Sequence, residues 1–228
     1  MRFRKNIMVL DTETTGDFGQ PLVHDLGYII IDKDFNTLKQ TRHLVENVRT
    51  CKWALNYSEF YRSKDNLYNQ QIENGDVDIK LWNAIMKEFK DDIKRYNVNV
   101  ICAYNVAFDF RALNFTNKFL NNGDTYFEDL LTKNLYLCIW NLACETILQK
   151  EDFKLWCKEN NKMSECGNYR TNAETTYQYL FSKLDFEEEH TALNDVIIEK
   201  DILKYIVENT IGTCEYGLQY SCWRKVQN

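Results

Sequence analysis

The strongest constraint on the fold is a short apolar run, residues 7–10, that leads into two carboxylates, Asp11 and Glu13. Residues two apart on a β-strand point to the same face, so a strand over 6–11 would deliver both carboxylates to one place. Three residues that allow a sharp turn follow directly: Thr14, Thr15 and Gly16. Two like charges held together are costly unless a cation lies between them. A divalent metal site is therefore slightly favoured over a strand end with solvated acids.

The periodicity of apolar residues further along the chain predicts a mixed sheet flanked by helices. Strands are expected at 26–32 and near 40–48, in an antiparallel meander with the first strand, and again at 98–104. Helices are expected over 81–93, after Asn105 as far as Phe119, and over 129–148, 150–159, 173–183 and 192–208. A meander followed by alternating helices and strands is typical of an α/β fold whose later strands are parallel.

Length and cysteine usage favour one reduced, cytoplasmic domain. The 228 residues suit one α/β domain, 1–208, with 209–228 as a C-terminal tail or appendage of that domain. The eight cysteines form no Cys-x-x-Cys pair, which favours free thiols over a disulfide framework or a zinc site. The apolar run near the N-terminus is too short for a signal peptide, and no later run is long enough to cross a membrane. We therefore expect a cytoplasmic protein with no membrane partner.

The net charge of −6 bears on the class of partner. Proteins that coat long nucleic acids depend on basic surface, so this charge argues against that class. It does not argue against an enzyme that holds a few nucleotides, because two bound divalent ions would cancel about four negative charges beside the phosphate. A row of lysines four residues apart, from Lys150 to Lys162, could steer a phosphate backbone, but a solvated helix face is the better explanation.

Two later stretches supply further candidate groups. Asp109 follows Asn105 at a predicted strand-to-helix junction, in the first helical turn, where free N–H groups favour an anion. The alternative is an ordinary first-turn acid with Asn105 as a plain N-cap. His190 and Asp195 precede and open the last predicted helix, and five residues would place them on different helical faces. They can meet if His190 lies in the preceding loop and Thr191 caps the helix, where an accessible imidazole suits a proton acceptor.

Three motifs stand in this order: Asp11-Thr-Glu13-Thr-Thr-Gly16, Asn105-x-x-Phe108-Asp109 and His190-x-x-x-x-Asp195. The combination resembles the DEDDh 3′→5′ exonucleases, the DnaQ-like group of the ribonuclease-H-like fold, and covers about residues 6–205. Thr191 stands where the related DEDDy branch has a tyrosine, which indicates the histidine branch. Two positions depart from the family pattern: Tyr104 replaces a common His or Gly, and Asp25-Leu-Gly27 replaces a common Glu-Ile-Gly.

The resemblance implies a set of site residues. The metal ligands would be Asp11, Glu13, Asp109 and Asp195, which would hold two Mg²⁺ (or Mn²⁺) ions on either side of the scissile phosphate. His190 would be the general base that accepts the proton of the attacking water. Six residues are candidates for binding the 3′-terminal nucleotide: Thr14, Thr15, Gly16, Phe18, Asn105 and Phe108. For Phe18, stacking on a base and plain core packing are equally good explanations.

The leading hypothesis is a metal-dependent 3′→5′ exonuclease that releases nucleoside 5′-monophosphates from single-stranded DNA, as in proofreading or DNA repair. The alternatives are an exoribonuclease or oligonucleotide-degrading enzyme, and a proofreading subunit whose tail docks on a DNA polymerase. No residue decides between DNA and RNA, because that discrimination rests on a contact to the 2′-hydroxyl. Three aromatic residues of the tail are of the kind that interfaces use: Tyr216, Tyr220 and Trp223.

Overall fold

The computed structural model describes residues 3–15, 19–51, 63–121, 135–210 and 215–227. Six strands within these ranges form a single sheet: β1 (Asn6–Thr15), β2 (Leu22–Ile31), β3 (Thr37–Val45), β4 (Asp78–Lys80), β5 (Val98–Ala103) and β6 (Leu135–Cys138). Their spatial order is β4-β3-β2-β1-β5-β6. The first three strands pair antiparallel, whereas β4, β5 and β6 each pair parallel with a neighbour. The predicted mixed sheet, an antiparallel meander followed by parallel strands, is confirmed.

Helices pack on both faces of this sheet. The described ranges contain nine of them: α1 (Glu46–Arg49), α2 (Asp65–Glu73), α3 (Trp82–Arg95), α4 (Val106–Leu120), α5 (Ile139–Ala143), α6 (Glu151–Glu159), α7 (Ala173–Phe181), α8 (Ala192–Asn209) and α9 (Arg224–Gln227). A π-helical turn, Cys144–Leu148, continues α5. All ten residues of β2 are buried, as is the apolar run of β1. Helices therefore cover both faces of the central strands, so polar groups at the strand ends lie beside a dry core.

β1 and β2 are longer than the sequence predicts. β1 continues to Thr15 because it pairs with β2 as far as Leu22, so Asp11 and Glu13 lie within the strand instead of at its end. β3 ends at Val45, earlier than predicted, and α1 follows.

The helix predicted over 129–148 is wrong in its middle. Residues 122–134 lie outside the described ranges, but β6 pairs in parallel with residues 100–103 before α5 begins. A four-residue apolar run that can extend a parallel sheet buries its side chains there, and sequence periodicity cannot distinguish this from one helical turn.

The C-terminal residues 215–227 pack on the same core. Cys222 and Val226 are buried, while Tyr216 and Tyr220 are exposed. The side-chain amide of Gln227 bonds to the main chain of Tyr169, with its Oε1 accepting from the N–H over 2.8 Å. None of the seven cysteines in the described ranges forms a disulfide, and no helix there is long and apolar enough to span a membrane.

Candidate active site

Asp11 and Glu13 lie on β1 where its neighbour β5 has ended. The parallel pairing of β1 with β5 ends at Val9 and Cys102, whereas β2 continues beside β1 past both acids. The register of β1 against β2 shifts directly after Glu13. Such a bulge bends the strand and redirects the side chains next to it. The end of β5 thus leaves room beside the two acids for groups from other segments.

Asp109 enters that room from the first turn of α4. Its Oδ1 accepts two hydrogen bonds from Thr12, one from the main-chain N–H at 3.1 Å and one from the hydroxyl at 2.9 Å. The carboxylate therefore accepts the Thr12 N–H beyond the point where β5 pairs with β1. Asp109 is 3% exposed. Asn105 occupies the N-cap position of α4, but its side chain makes no capping hydrogen bond in this structure.

The start of α8 is held against β2 by Asp25 and Gly27. Asp25 Oδ2 accepts the main-chain N–H of Ala192 over 3.3 Å, so the carboxylate caps the helix. A Cβ on Gly27 would lie 2.6 Å from the carbonyl carbon of Ala192, and only glycine permits this approach. Thr191 occupies the N-cap position as predicted, but its buried hydroxyl has no partner among the described residues. The prediction that Thr191 supplies the cap is wrong, because a strand residue supplies it.

Asp25 is itself fixed by a buried ion pair. The Nε of Arg42 bonds to both Asp25 oxygens at 3.0 Å, and its Nη2 bonds to Oδ2 at 2.8 Å. The hydroxyl of Tyr68 donates to the same carboxylate over 3.3 Å. Asp25 is fully buried, and two nitrogens of the Arg42 guanidinium bind its carboxylate in the strong bidentate geometry. This ion pair holds the Asp25 carboxylate in place, and the carboxylate in turn fixes where α8 begins.

His190 and Asp195 meet Glu13 in this arrangement. One potential ligand atom from each of these three residues lies within 4.8 Å of the other two. His190 lies in the loop before α8 with a φ of +53°, and its side chain is 37% exposed. Asp195 lies in the first turn of α8. The loop position inferred for His190 and the first-turn position of Asp195 agree with the sequence prediction.

The clustered acids raise each other's pKa values. Burial raises the pKa of Asp11 well above its usual range, and four neighbouring carboxylates add to the effect: Asp109, Glu199, Glu13 and Asp195. Burial likewise raises the pKa of Asp109 to about 7, and that of Asp195 to about 7. In the absence of a cation, these groups hold protons at a pH where ordinary aspartates are ionised.

Three further charged residues border the site, and no motif in the sequence pointed to them. Glu199, one turn after Asp195 on α8, is 3% exposed and accepts the N–H of Tyr104. The Oε2 of Glu188 lies 3.7 Å from Nδ1 of His190. The ammonium of Lys64 donates to the carbonyl of Glu189 in the same loop. The i,i+4 spacing of Asp195 and Glu199 could have indicated a shared helical face, but a carboxylate at that spacing is common on solvated helices.

The predicted substrate-binding residues fall into three groups. Thr14 is partly exposed beside Glu13, whereas Thr15 is buried, with no partner for its hydroxyl among the described residues. Phe108 is partly exposed on α4, with the guanidinium carbon of Arg111 5.5 Å from its ring centre. Gly16 and Phe18 lie outside the described residues.

The chemistry of the site fits divalent cations. The four acids come from β1, α4 and α8, and all are oxygen ligands of the type that Mg²⁺ and Mn²⁺ prefer. Asp195 Oδ1 is buried and has no hydrogen-bond partner in the described part of the chain. Buried polar atoms are normally satisfied, so an unpartnered carboxylate oxygen on a residue of this acid cluster fits a ligand of a divalent cation.

Solved structures with the same fold are nucleases. Similar structures include cell-death related nuclease 4 (CRN-4), with a TM-score of 0.57 and 11% identity, covering 90% of this chain and 64% of that one. A product-bound exonuclease I has a TM-score of 0.60 at 13% identity, covering 90% and 44%. The zinc-bound complex of E. coli exonuclease I with single-stranded DNA has a TM-score of 0.52 at 14% identity, covering 90% and 41%. The chain thus spans less than two thirds of each of these proteins.

These similarities confirm the predicted ribonuclease-H-like fold and the predicted resemblance at the level of the fold. No protein-family model matches the sequence, and no curated protein sequence matches it. At such low sequence identity, the role of each residue can be inferred only from the geometry of this chain.

Proposed function

We propose that this protein is a metal-dependent 3′→5′ exonuclease that acts on single-stranded DNA and releases nucleoside 5′-monophosphates. The observation that carries the proposal is the convergence of Asp11, Glu13, Asp109 and Asp195 beside His190, from segments far apart in the sequence. The shared fold with nucleases supports this, and so does the E. coli exonuclease I complex with single-stranded DNA.

In this proposal the four acids hold two Mg²⁺ (or Mn²⁺) ions. Bound there, the ions would supply Lewis-acid stabilisation of the negative charge on the scissile phosphate. Thr12 holds Oδ1 of Asp109 through two hydrogen bonds, and in this proposal Oδ2 would be the oxygen that binds a metal ion. Asp25 and Gly27 fix the start of α8 and with it the position of Asp195. The protein therefore holds the ligands on rigid elements before substrate binds.

His190 is the proposed general base. Burial, with the nearby Lys64 ammonium as a further cause, lowers the pKa of its imidazole below the usual value. A neutral imidazole at neutral pH can accept the proton of an attacking water. Its partial exposure leaves access for that water, and Glu188 near Nδ1 can stabilise the imidazolium that forms.

The nucleotide at the 3′ end would bind along the segment after Glu13. Thr14 to Gly16 would receive the terminal 3′-hydroxyl and sugar, and Asn105, Phe108 and Phe18 would contact the base. Phe108 is partly exposed and lies one residue before Asp109, so a base stacked on it would be next to the scissile phosphate.

DNA is favoured over RNA by the ligand of the similar exonuclease I, and the alternatives give distinct outcomes in one experiment. The substrates are 5′-labelled single-stranded DNA, duplex DNA and RNA, each with Mg²⁺, Mn²⁺ or EDTA. A 3′-shortening ladder on single-stranded DNA that disappears with EDTA and in Asp11→Asn is expected. Asp91→Asn, an exposed acid on α3, is the matched control and should be active.

A ladder on RNA alone would replace DNA with RNA as the substrate. The absence of a ladder on every substrate would refute the proposal. A role as a proofreading subunit further predicts a contact with a DNA polymerase through Tyr216 and Tyr220, the exposed aromatic residues of the tail. Co-purification with a polymerase that is lost in the Tyr216→Ala, Tyr220→Ala variant would support that role.

A further inference from the structure

A cavity of about 430 Å³ opens where β6 ends, and none of the proposed catalytic residues lines it. Trp140 from α5 forms one wall and Trp223 from the C-terminal segment forms another, with Tyr169 and Arg170 from the loop between α6 and α7. The lining surface is mostly apolar, and the described residues that line it include one cation and no carboxylate. This composition differs from the acidic site on the neighbouring strands.

Trp140 is a rigid wall of this tryptophan cavity. Its main-chain N–H donates to the carbonyl of Tyr104 over 2.9 Å, and its indole N–H donates to the hydroxyl of Thr171 over 2.9 Å. Its ring stacks on that of Tyr104, with centroids 6.5 Å apart and planes 23° from parallel. An indole whose donor is satisfied and whose rotamer is fixed presents a flat surface at little entropic cost.

The lining residues from the C-terminal segment and from the loop between α6 and α7 are anchored as well. Cys222 is buried directly before Trp223, and the side chain of Gln227 bonds to the main chain of Tyr169 and to the carbonyl of Trp223. Trp223 itself is partly exposed. The C-terminal segment and the loop that carries Tyr169 are therefore joined, and both present aromatic rings to the cavity.

Two of these rings each have a cationic side chain beside them, although the protein as a whole is acidic. The guanidinium carbon of Arg224 lies 5.6 Å from the ring centre of Trp223, and the Nζ of Lys158 lies 5.9 Å from that of Tyr169. The Nε of Arg170 donates to the carbonyl of Met163, which orients its guanidinium. Aromatic faces bordered by cations match a nucleobase joined to phosphates.

Tyr104 links the cavity to the proposed active site. Its hydroxyl donates to the carbonyl of Thr171, which lines the cavity, and its N–H bonds to Glu199 of α8. The residue after Tyr104 is Asn105, at the start of the helix that carries Asp109. The cavity and the acids thus lie along the same edge of the sheet, at the ends of neighbouring parallel strands.

We propose that the tryptophan cavity is a second subsite, which binds an unstacked nucleobase of the single strand upstream of its 3′ end. This inference rests on the proposed function, because a strand held at the acids must continue past the active site. Asn168 and Asn172 line the cavity and supply amide groups for the edges of the base, while the rings accept any base. The subsite favours substrates long enough to reach it.

The test compares oligothymidylates of 3 and 12 nucleotides with wild type, Trp223→Ala, Trp223→Phe and Arg170→Ala. Tyr220→Ala is the control, because Tyr220 is an exposed aromatic residue of the same segment that does not line the cavity. Steady-state kinetics give kcat and KM for shortening. Quenching of tryptophan fluorescence in EDTA gives affinity without turnover.

For the 12-nucleotide strand, Trp223→Ala should raise KM and the dissociation constant about 5- to 150-fold, the range for loss of one stacked base. Its kcat and all values for the 3-nucleotide strand should stay at the wild-type level. Trp223→Phe should restore most of the affinity, since it keeps an aromatic face. Arg170→Ala, at an exposed position, should weaken the binding of the 12-nucleotide strand by a smaller factor than Trp223→Ala does.

Unchanged KM and affinity in both Trp223→Ala and Arg170→Ala, with wild-type cleavage, would overturn the subsite and leave the proposed function intact. Equal losses for the two lengths would also overturn it, because they would show a general effect on the fold. A wild-type protein that neither cleaves nor binds either strand would refute both proposals. Binding without cleavage, lost in Trp223→Ala, would support the subsite and refute the exonuclease.

Discussion

Asp25 Oδ2 accepts the main-chain N–H of Ala192 over 3.3 Å, so a carboxylate on β2 caps the helix that carries Asp195. The same carboxylate is paired with Arg42, and Gly27, two residues further along β2, admits the backbone of α8 at close range. The position of one proposed metal ligand is thus set by two residues that are not proposed ligands themselves. These contacts explain why a helix remote in sequence arrives beside β1 with a defined register.

Replacing Asp25 should disrupt both stability and the site. Asp25→Ala leaves Arg42 buried without its partner, and loss of one member of a buried pair costs about 3–5 kcal/mol. Asp25→Asn keeps the acceptor for Ala192 and should be less damaging. Urea unfolding and exonuclease rate measure the two effects. Asp91→Ala, which breaks an exposed pair with Lys87, should change neither. An Asp25→Ala variant with wild-type stability would contradict the capping role.

Gly27→Ala should displace α8 without changing any charge. The added methyl group would lie 2.6–2.7 Å from main-chain atoms of Ala192 and Leu193, so the helix must move. We expect a loss of activity of at least about tenfold, because misplacing one catalytic group by an ångström has effects of that size or larger. Gly75→Ala is the control: its φ of +75° makes the change strained, but no atom lies within 4 Å of the new methyl group. Equal activities of the two variants would argue against the close approach as the determinant.

The metal-free protein should lose stability as the pH rises from about 4 to about 7. Asp109 and Asp195 have folded-state pKa values of about 7, against an ordinary value of 3.8, so between these values unfolding releases their protons. Each group then lowers the unfolding free energy by up to about 1.4 kcal/mol per pH unit. Mg²⁺ or Mn²⁺ should reverse this trend, because the ions bind the ionised acids.

Thermal unfolding in EDTA and in Mg²⁺ at pH 5, 6, 7 and 8 measures this linkage. The difference in melting temperature between the two conditions should widen with pH and shrink in Asp195→Asn. A difference that stays constant over this range would show that the acids do not exchange protons for metal.

His190→Ala should separate catalysis from metal binding. Removal of a general base typically lowers the rate about 10²- to 10⁴-fold, whereas the four carboxylates are unchanged. The variant should therefore lose kcat but keep the metal-dependent increase in melting temperature. Wild-type turnover in His190→Ala would exclude the imidazole as the base.

Lys64→Met should shift the pH dependence of the reaction. Burial and then the Lys64 ammonium lower the pKa of His190, so removal of that ammonium raises it. A base with a higher pKa is protonated over a wider range, and the ascending limb of kcat/KM should move to higher pH. Lys87→Met, at an exposed position on α3, should leave the profile unchanged. A shift toward lower pH would contradict the proposed electrostatic effect.

The local pattern of the sequence was sufficient for the main elements near the site. Two acids two residues apart on an apolar strand must face the same side, and an acid after Asn105 must fall in the first helical turn. The first-turn positions of Asp109 and Asp195 and the shared strand of Asp11 and Glu13 could therefore be predicted, although β1 continues past both acids instead of ending at them. The antiparallel meander followed from the same kind of local information, because alternation and turn residues are short-range signals.

Partners distant in the sequence could not be predicted in this way. The apolar periodicity predicts a helix where β6 lies, since a four-residue apolar run acquires its strand conformation only by pairing with β5. The local sequence predicts Thr191 as the cap of α8, but Asp25 supplies it from 167 residues away. Glu199 joins the four predicted acids only because α8 packs against β1.

The sequence by itself determined which residue types stand at which spacing, and thereby the carboxylates, the lone histidine before α8 and the class of fold. The tertiary structure alone decided which further residues join Asp11 and Glu13 in the acid cluster. Termination of β5 beside β1 opened the place that Asp109 fills, and the Asp25–Ala192 and Gly27 contacts brought in Asp195. Spacing is a property of neighbours along the chain, whereas the convergence of four like charges depends on buried contacts that cross the whole domain.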